Sequence, residues 1–293
     1  MDWQKGERSQ NVEVDDGSGG GGGGGFRFGG GRGLGLGGII ILAILGMVFF
    51  KDPTALLGQA GSGGTPSAAA PPRGRAAQVD PREEDFVRAV LGSSEKTWSD
   101  IFAAHGQTYT DPKLVLFSGA VNTACGSASS AVGPFYCPGD QRVYLDLAFF
   151  RELETRFHTV GDFARAYVIA HEVGHHVQNL MGVFARSEQA RRRGVRMEGA
   201  GGLSVRQELQ ADCFAGVWAN RTQDRLHWLQ PGDVESALNA ASQIGDDALQ
   251  RQAQGRVVPD SFTHGTSQQR VKWFTAGFKG GDVSACDTFN GPV

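Results

Sequence analysis

Residues 81 to 293 predict an α+β domain in which a small sheet lies beside a long helix. Three observations point there. Two short apolar runs, "KLVLFSG" (113–119) and "RVYLDLAFF" (142–150), are rich in strand-forming residues. Helical periodicity then takes over, with Phe163, Tyr167, Val168, Val177 and Leu180 on one stretch and Val205, Leu209, Phe214, Val217 and Trp218 on another. The order itself, strands first and helices later, is that of an α+β unit.

The first 80 residues look different. Residues 17–33 are dominated by glycine, so residues 1–33 are expected to form a flexible tail. Residues 34–50, "LGLGGIIILAILGMVFF", carry no charge and stand between Arg32 and Lys51. Such a run is at the short end of what spans a hydrocarbon core of about 30 Å, and one uncleaved transmembrane helix in the lipid bilayer is expected. Arg27 and Arg32 before it give a slight bias toward a cytoplasmic amino terminus. Residues 51–80, with Pro53, Pro66, Pro71 and Pro72, read as a linker, and the domain begins near Pro81.

Within the domain, "EEDFVRAVLG" and "SSEKTWSDIFAAHG" read as two short helices broken at Gly92. Further helices are expected near 232–244 and 266–278, the second capped by Thr266 or Ser267. The net charge of −3 and the lack of a dense basic stripe argue against nucleic acid as a partner.

Four cysteines, Cys125, Cys137, Cys213 and Cys286, all fall in the domain. An even number fits two disulfides, with three connectivities open. Pairing Cys125 with Cys137 would close a short loop and leave Cys213 to tie a helix to the chain end at Cys286. Paired cysteines would place the domain outside the cytoplasm, and four buried thiols are the alternative.

The chemistry is carried by "AYVIAHEVGHHVQNL", residues 166–180. His171 and His175 are four apart and share a helix face, whereas His176 points away. His171-Glu172-x-x-His175 is an HExxH motif, in which two imidazoles bind Zn2+ and the glutamate acts on water. The metzincin pattern would need a glycine at 178 and a histidine at 181, where Gln178 and Met181 stand, and is excluded. A second helix, "SVRQELQADCFAGVWAN" (204–220) with Ser204 as its expected cap, offers Glu208 and Asp212 on one face. Glu208 would complete the metal site. Asp212 would accept a hydrogen bond from His171 and fix its tautomer. His105, His158 and His227 have no companion at ligand spacing.

"AYVIAHEVGHHVQNLMG", "ELQADCFAGVWA", "HGTSQQRVKWFTAGF" and "GPFYCPGDQRVYLDLAFF" together resemble the membrane-anchored neutral zinc metallopeptidases of bacteria. The four blocks cover most of residues 81–293. The HExxH helix followed by Glu-x-x-x-Asp is similar, more distantly, to the gluzincins. The resemblance implies a zincin-like metallopeptidase domain in the bacterial cell membrane, single-pass and facing the periplasm, with a peptide or protein as substrate. It also implies a second electrophile from "THGTSQQR", either His264 or Arg270 facing the cleft, with a buried salt bridge for Arg270 as the alternative. The expected chemistry is hydrolysis with Glu172 as general base. A membrane-anchored, zinc-stabilised binding module without proteolytic activity is the second reading. The segment from Cys125 to Pro138 could rim the cleft and pair with an extended substrate.

Overall fold

The architecture is that of a computed structural model describing residues 1–15, 78–129, 133–146, 148–149 and 161–293. Helix α1 runs unbroken over Pro81–Ala104. Asp80 caps it by accepting the Arg82 N–H at 2.8 Å, Pro81 presets the first turn, and Glu83 and Glu84 complement the helix dipole there. The break expected at Gly92 is absent. A Cβ at Gly92 would lie 2.9 Å from the carbonyl oxygen of Glu7 and the amide nitrogen of Ser9, so the glycine makes room for a crossing chain segment.

That crossing segment is the beginning of the sequence. Residues 1–15, expected as part of the tail, are instead built into the domain. Trp3 is 4 % exposed, packs edge-on against Phe86 and donates its indole N–H to Asp162 at 2.9 Å. Strand β1 (Val12–Val14) follows. A three-residue strand is too short to show periodicity, and the glycine run after it dominates the composition.

Strands β2 (Lys113–Phe117), β3 (Ala120–Thr123), β4 (Gly126–Ser129), β5 (Phe135–Cys137) and β6 (Arg142–Asp146) come next. Three of them join β1 in one sheet in the order β1-β2-β6-β5, with β1/β2 and β2/β6 parallel and β5/β6 antiparallel; β3 and β4 form a separate hairpin. Alternation decides the faces. Leu114, Leu116, Val143 and Leu145 point into the main core, while Val115, Phe117 and Tyr144 cover a smaller cluster with Cys137 and Val121. The last strand stops at Asp146, short of the expected 150, and the Asp146 carboxylate accepts the Ala148 N–H at 2.7 Å.

The helical half comprises α2 (Asp162–Leu180), α3 (Val183–Arg192), α4 (Leu203–Leu226), α5 (Asp233–Gln243), α6 (Asp246–Gln254) and α7 (Ser267–Gly280). Thr266 caps α7 in a capping box with Gln269, as expected. Helix α4 is capped at Gly202 rather than Ser204, because the chain turns so tightly there that a Cβ would lie 2.3 Å from the Met197 carbonyl oxygen. Helix α4 is the hub, packed on α2 on one side and α7 on the other. The cysteines pair as Cys125–Cys137 and Cys213–Cys286, the latter pinning α4 to the turn at Val283–Cys286. Residues 34–50, the expected transmembrane helix, lie outside the described residues, as does most of the expected linker. Among the described residues no helix is long and apolar enough to cross a membrane.

Candidate metal centre

Helices α2 and α4 meet at Gly174, where a Cβ would stand 3.1 Å from the Ala211 carbonyl oxygen and 3.2 Å from the Ala211 Cα. The missing side chain lets the two backbones approach. His171 and His175 on α2 then face Glu208 on α4. Glu208 Oε2 lies 3.2 Å from His171 Nε2 and 3.5 Å from His175 Nε2. One ligand atom from each residue falls within 4.8 Å of the others.

These residues fit a zinc ion on two counts. Bonds of about 2.0–2.1 Å at tetrahedral angles put ligand atoms roughly 3.3 Å apart, close to both distances to Glu208. The imidazoles are also held in the tautomer that leaves Nε2 as the donor atom. His171 Nδ1 donates to Asp212 Oδ1 at 2.9 Å, and His175 Nδ1 donates to Gln178 Oε1 at 2.9 Å. The amide of Gln178 is itself fixed, giving its hydrogens to the Gln207 carbonyl at 2.7 Å and to Gln210 Oε1 at 3.1 Å.

Asp212 is fully buried and carries four contacts. Besides His171, it accepts the Tyr167 hydroxyl at 2.5 Å and the Arg270 Nε and Nη2 at 2.9 Å each. Burial alone would raise its pKa, but the charges of Arg270 and His171 outweigh it and hold the carboxyl down at about 2. Arg270 is therefore in the buried salt bridge anticipated as the alternative to a cleft-facing role, although it also lines the cleft. The metal-free imidazoles are shifted upward. Burial opposes their charged forms, but for His171 the Asp212 charge wins, and for His175 the Glu208 charge lifts the pKa to about 9.

Glu172 is 8 % exposed and lines the same cleft, beside the histidines but outside the cluster of ligand atoms. His264 lines it too. Its Nδ1 bonds Asp246 Oδ1 at 3.2 Å, and the other Asp246 oxygen accepts the backbone N–H groups of Thr263, His264 and Gly265 at 2.6, 2.7 and 3.0 Å. Burial disfavours the imidazolium, yet the hydrogen bond and charge of Asp246 raise the His264 pKa overall. The cleft, about 340 Å³, is walled on its other sides by Phe135, Phe149, Val168, Phe184, Ile244 and Leu249. Of the segment Cys125–Pro138 suggested as a rim, Gly133, Pro134, Phe135, Tyr136 and Pro138 line the cleft, and β5 is one of the two edge strands of the sheet.

His176 is structural, as its rotation on the helix implied. It contacts the Thr110 carbonyl at 2.7 Å and the Tyr136 hydroxyl at 3.1 Å, and burial lowers its pKa. His105 bonds the Ile101 carbonyl of its own helix, His227 ends α4 with a φ of 51°, and His158 lies outside the described residues. Three residues of the site were missed from sequence. Gln178 and Tyr167 carried a signal, three residues after His175 and four before His171, hence on the metal-facing side of α2. Asp246 carried none.

The family model described as "putative neutral zinc metallopeptidase" matches residues 1–289. The chain is 51 % identical over 214 residues to "Uncharacterized protein YpfJ" of Escherichia coli K12, covering 72 % of this chain and 74 % of that protein. It is 46 % identical over 214 residues to "Uncharacterized protein Rv2575" of Mycobacterium tuberculosis H37Rv, covering 70 % of each. No solved structure matches. With Zn2+ as the cofactor that the match implies and a three-residue group able to hold it, the chain belongs to the putative neutral zinc metallopeptidase family.

Proposed function

We propose that the protein is a metalloendopeptidase that hydrolyses peptide bonds next to bulky apolar side chains. One observation carries this reading. His171, His175 and Glu208 converge with their donor atoms inward, while Glu172, on the same helix, opens onto the cleft without joining them. Three protein ligands leave a position for water or substrate, whereas a purely structural site normally closes with four.

Zinc, when bound, supplies a Lewis acid that acidifies water toward a pKa of about 7 and polarises a carbonyl. The chain's own residues do the rest. Glu172 takes the proton of the attacking water and returns it to the leaving amine. His264, oriented by Asp246, donates Nε2–H to the carbonyl oxygen as negative charge develops there. Edge strand β5 offers main-chain groups to an extended peptide, which would fix the scissile bond across the cleft by strand addition. The walls formed by Phe135, Phe149, Ile244 and Leu249 would take an apolar side chain beside that bond.

The test is turnover of quenched-fluorescence peptide libraries by the zinc-loaded full chain. Glu172→Gln should keep its zinc and lose about 10²–10⁴-fold in kcat. His264→Ala should keep its zinc and lose about 10²–10³-fold. If the Glu172→Gln protein cleaves as fast as its parent, the catalytic role fails. If neither protein cleaves any peptide, the zinc-stabilised binding module becomes the better reading.

A further inference from the structure

We infer that residues 1–15 and residues 81–293 lie on the same side of any membrane the protein meets. The sequence alone suggests the opposite: one crossing at 34–50 would leave the first residues on one face of a bilayer and the domain on the other.

The fold does not permit that separation. Strand β1 is hydrogen-bonded to β2 in parallel register, Val12 opposite Leu114 and Val14 opposite Leu116, and the Asp15 N–H continues the ladder to the Leu116 carbonyl at 2.8 Å. Upstream of the strand, the Arg88 guanidinium of α1 donates to the carbonyls of Ser9 and Val12 at 2.9 and 3.1 Å. Ser9 Oγ and Asn11 Nδ2 both donate to Glu95 Oε1, at 2.7 and 2.9 Å, and Arg8 pairs with Asp85 at 2.6 Å. The Asp2 N–H reaches the Trp228 carbonyl at 2.8 Å, just past the end of α4. Trp3 and Val12 belong to the main hydrophobic core.

This is a core element. Pulling it away would expose Trp3, uncap the edge of β2 and leave the Gly92 channel in α1 empty. Losses of buried apolar area and of main-chain pairing on this scale are large against the marginal stability of a folded domain. A chain that crossed once between residue 15 and residue 81 would forgo all of them.

The experiment uses the full chain expressed in bacterial cells, with Ser18→Cys and Ser62→Cys made singly. Both positions lie between the folded pieces, and the four native cysteines are paired, so the added thiol is the reactive one. Spheroplasts are treated with a membrane-impermeant maleimide, and the modified fraction is compared with that in a lysate. The two variants should behave alike, either both modified in spheroplasts or both protected until lysis. Modification of one with protection of the other would overturn the inference.

Discussion

Arg270 grips Asp212 with two parallel hydrogen bonds, Nε to Oδ2 and Nη2 to Oδ1, each 2.9 Å long, in a pocket where the two residues are 3 % and 0 % exposed. The same carboxylate holds His171, so a helix that contributes no metal ligand, α7, sets the aim of one that does.

Removing the arginine would leave a buried carboxylate without its counter-charge. Arg270→Leu should cost about 3–5 kcal/mol of folding stability, measured by urea denaturation of the metal-free chain. Asp212→Asn, which keeps shape but removes charge, should weaken zinc about 10–100-fold. The sign with pH is set by the carboxyl pKa of about 2 in the fold against an ordinary 3.8. The stability supplied by this pair is fully present above pH 4 and is lost as pH falls toward 2.

Gln178 is the second aiming residue, and it is neutral. Gln178→Leu should leave His175 free to choose either tautomer and lower zinc affinity about tenfold, with a small change in melting temperature. Competition against a chelator of known strength measures this. Unchanged affinity would mean that the helix alone fixes the ring.

Zinc binding should release protons. The metal-free His175 has its pKa pushed up to about 9 by the Glu208 charge despite burial, and His171 is shifted in the same direction. Zinc requires both imidazoles unprotonated, so its apparent affinity should fall as pH drops below 9. One displaced proton corresponds to about tenfold per pH unit and two to about a hundredfold. Glu208 is held far below the ordinary carboxylate range and adds no proton. A flat affinity profile between pH 6 and 9 would contradict this account of the site.

The two disulfides should differ in weight. Cys213–Cys286 closes 73 residues and Cys125–Cys137 only 12. Loop-closure entropy assigns them about 4 and about 3 kcal/mol. Replacing the first pair by serines should therefore lower the denaturation midpoint more than replacing the second, and it adds a packing loss, because Cys213 and Cys286 are both fully buried.

How much of this could be read from the sequence divides along physical lines. The α2 cluster was legible because a helix converts spacing directly into direction: four residues apart means one face. Glu208 and Asp212 followed by the same rule on α4. What brings the two helices together was not legible, since the close contact at Gly174 against Ala211 depends on tertiary approach. Asp246 was invisible, because a carboxylate at the start of α6, 18 residues before His264, has no periodic relation to it. Gly92 was misread for a related reason. Glycine lowers helix propensity, but here it is selected for what passes beside it, and the break that propensity suggested did not occur.

The parallel pairing of β1 with β2 also sets a timetable. A ribosome adds about 5–20 residues per second, so Val12 is made some 5–20 s before Leu114, its partner across the ladder. Trp3 waits longer still for Asp162, and the Asp2 amide for Trp228. During that interval β1 carries main-chain groups that have no partner strand yet. Long-range parallel pairing is slow in itself. The pairing of β1 with β2 therefore closes late, after the chain between them has been made.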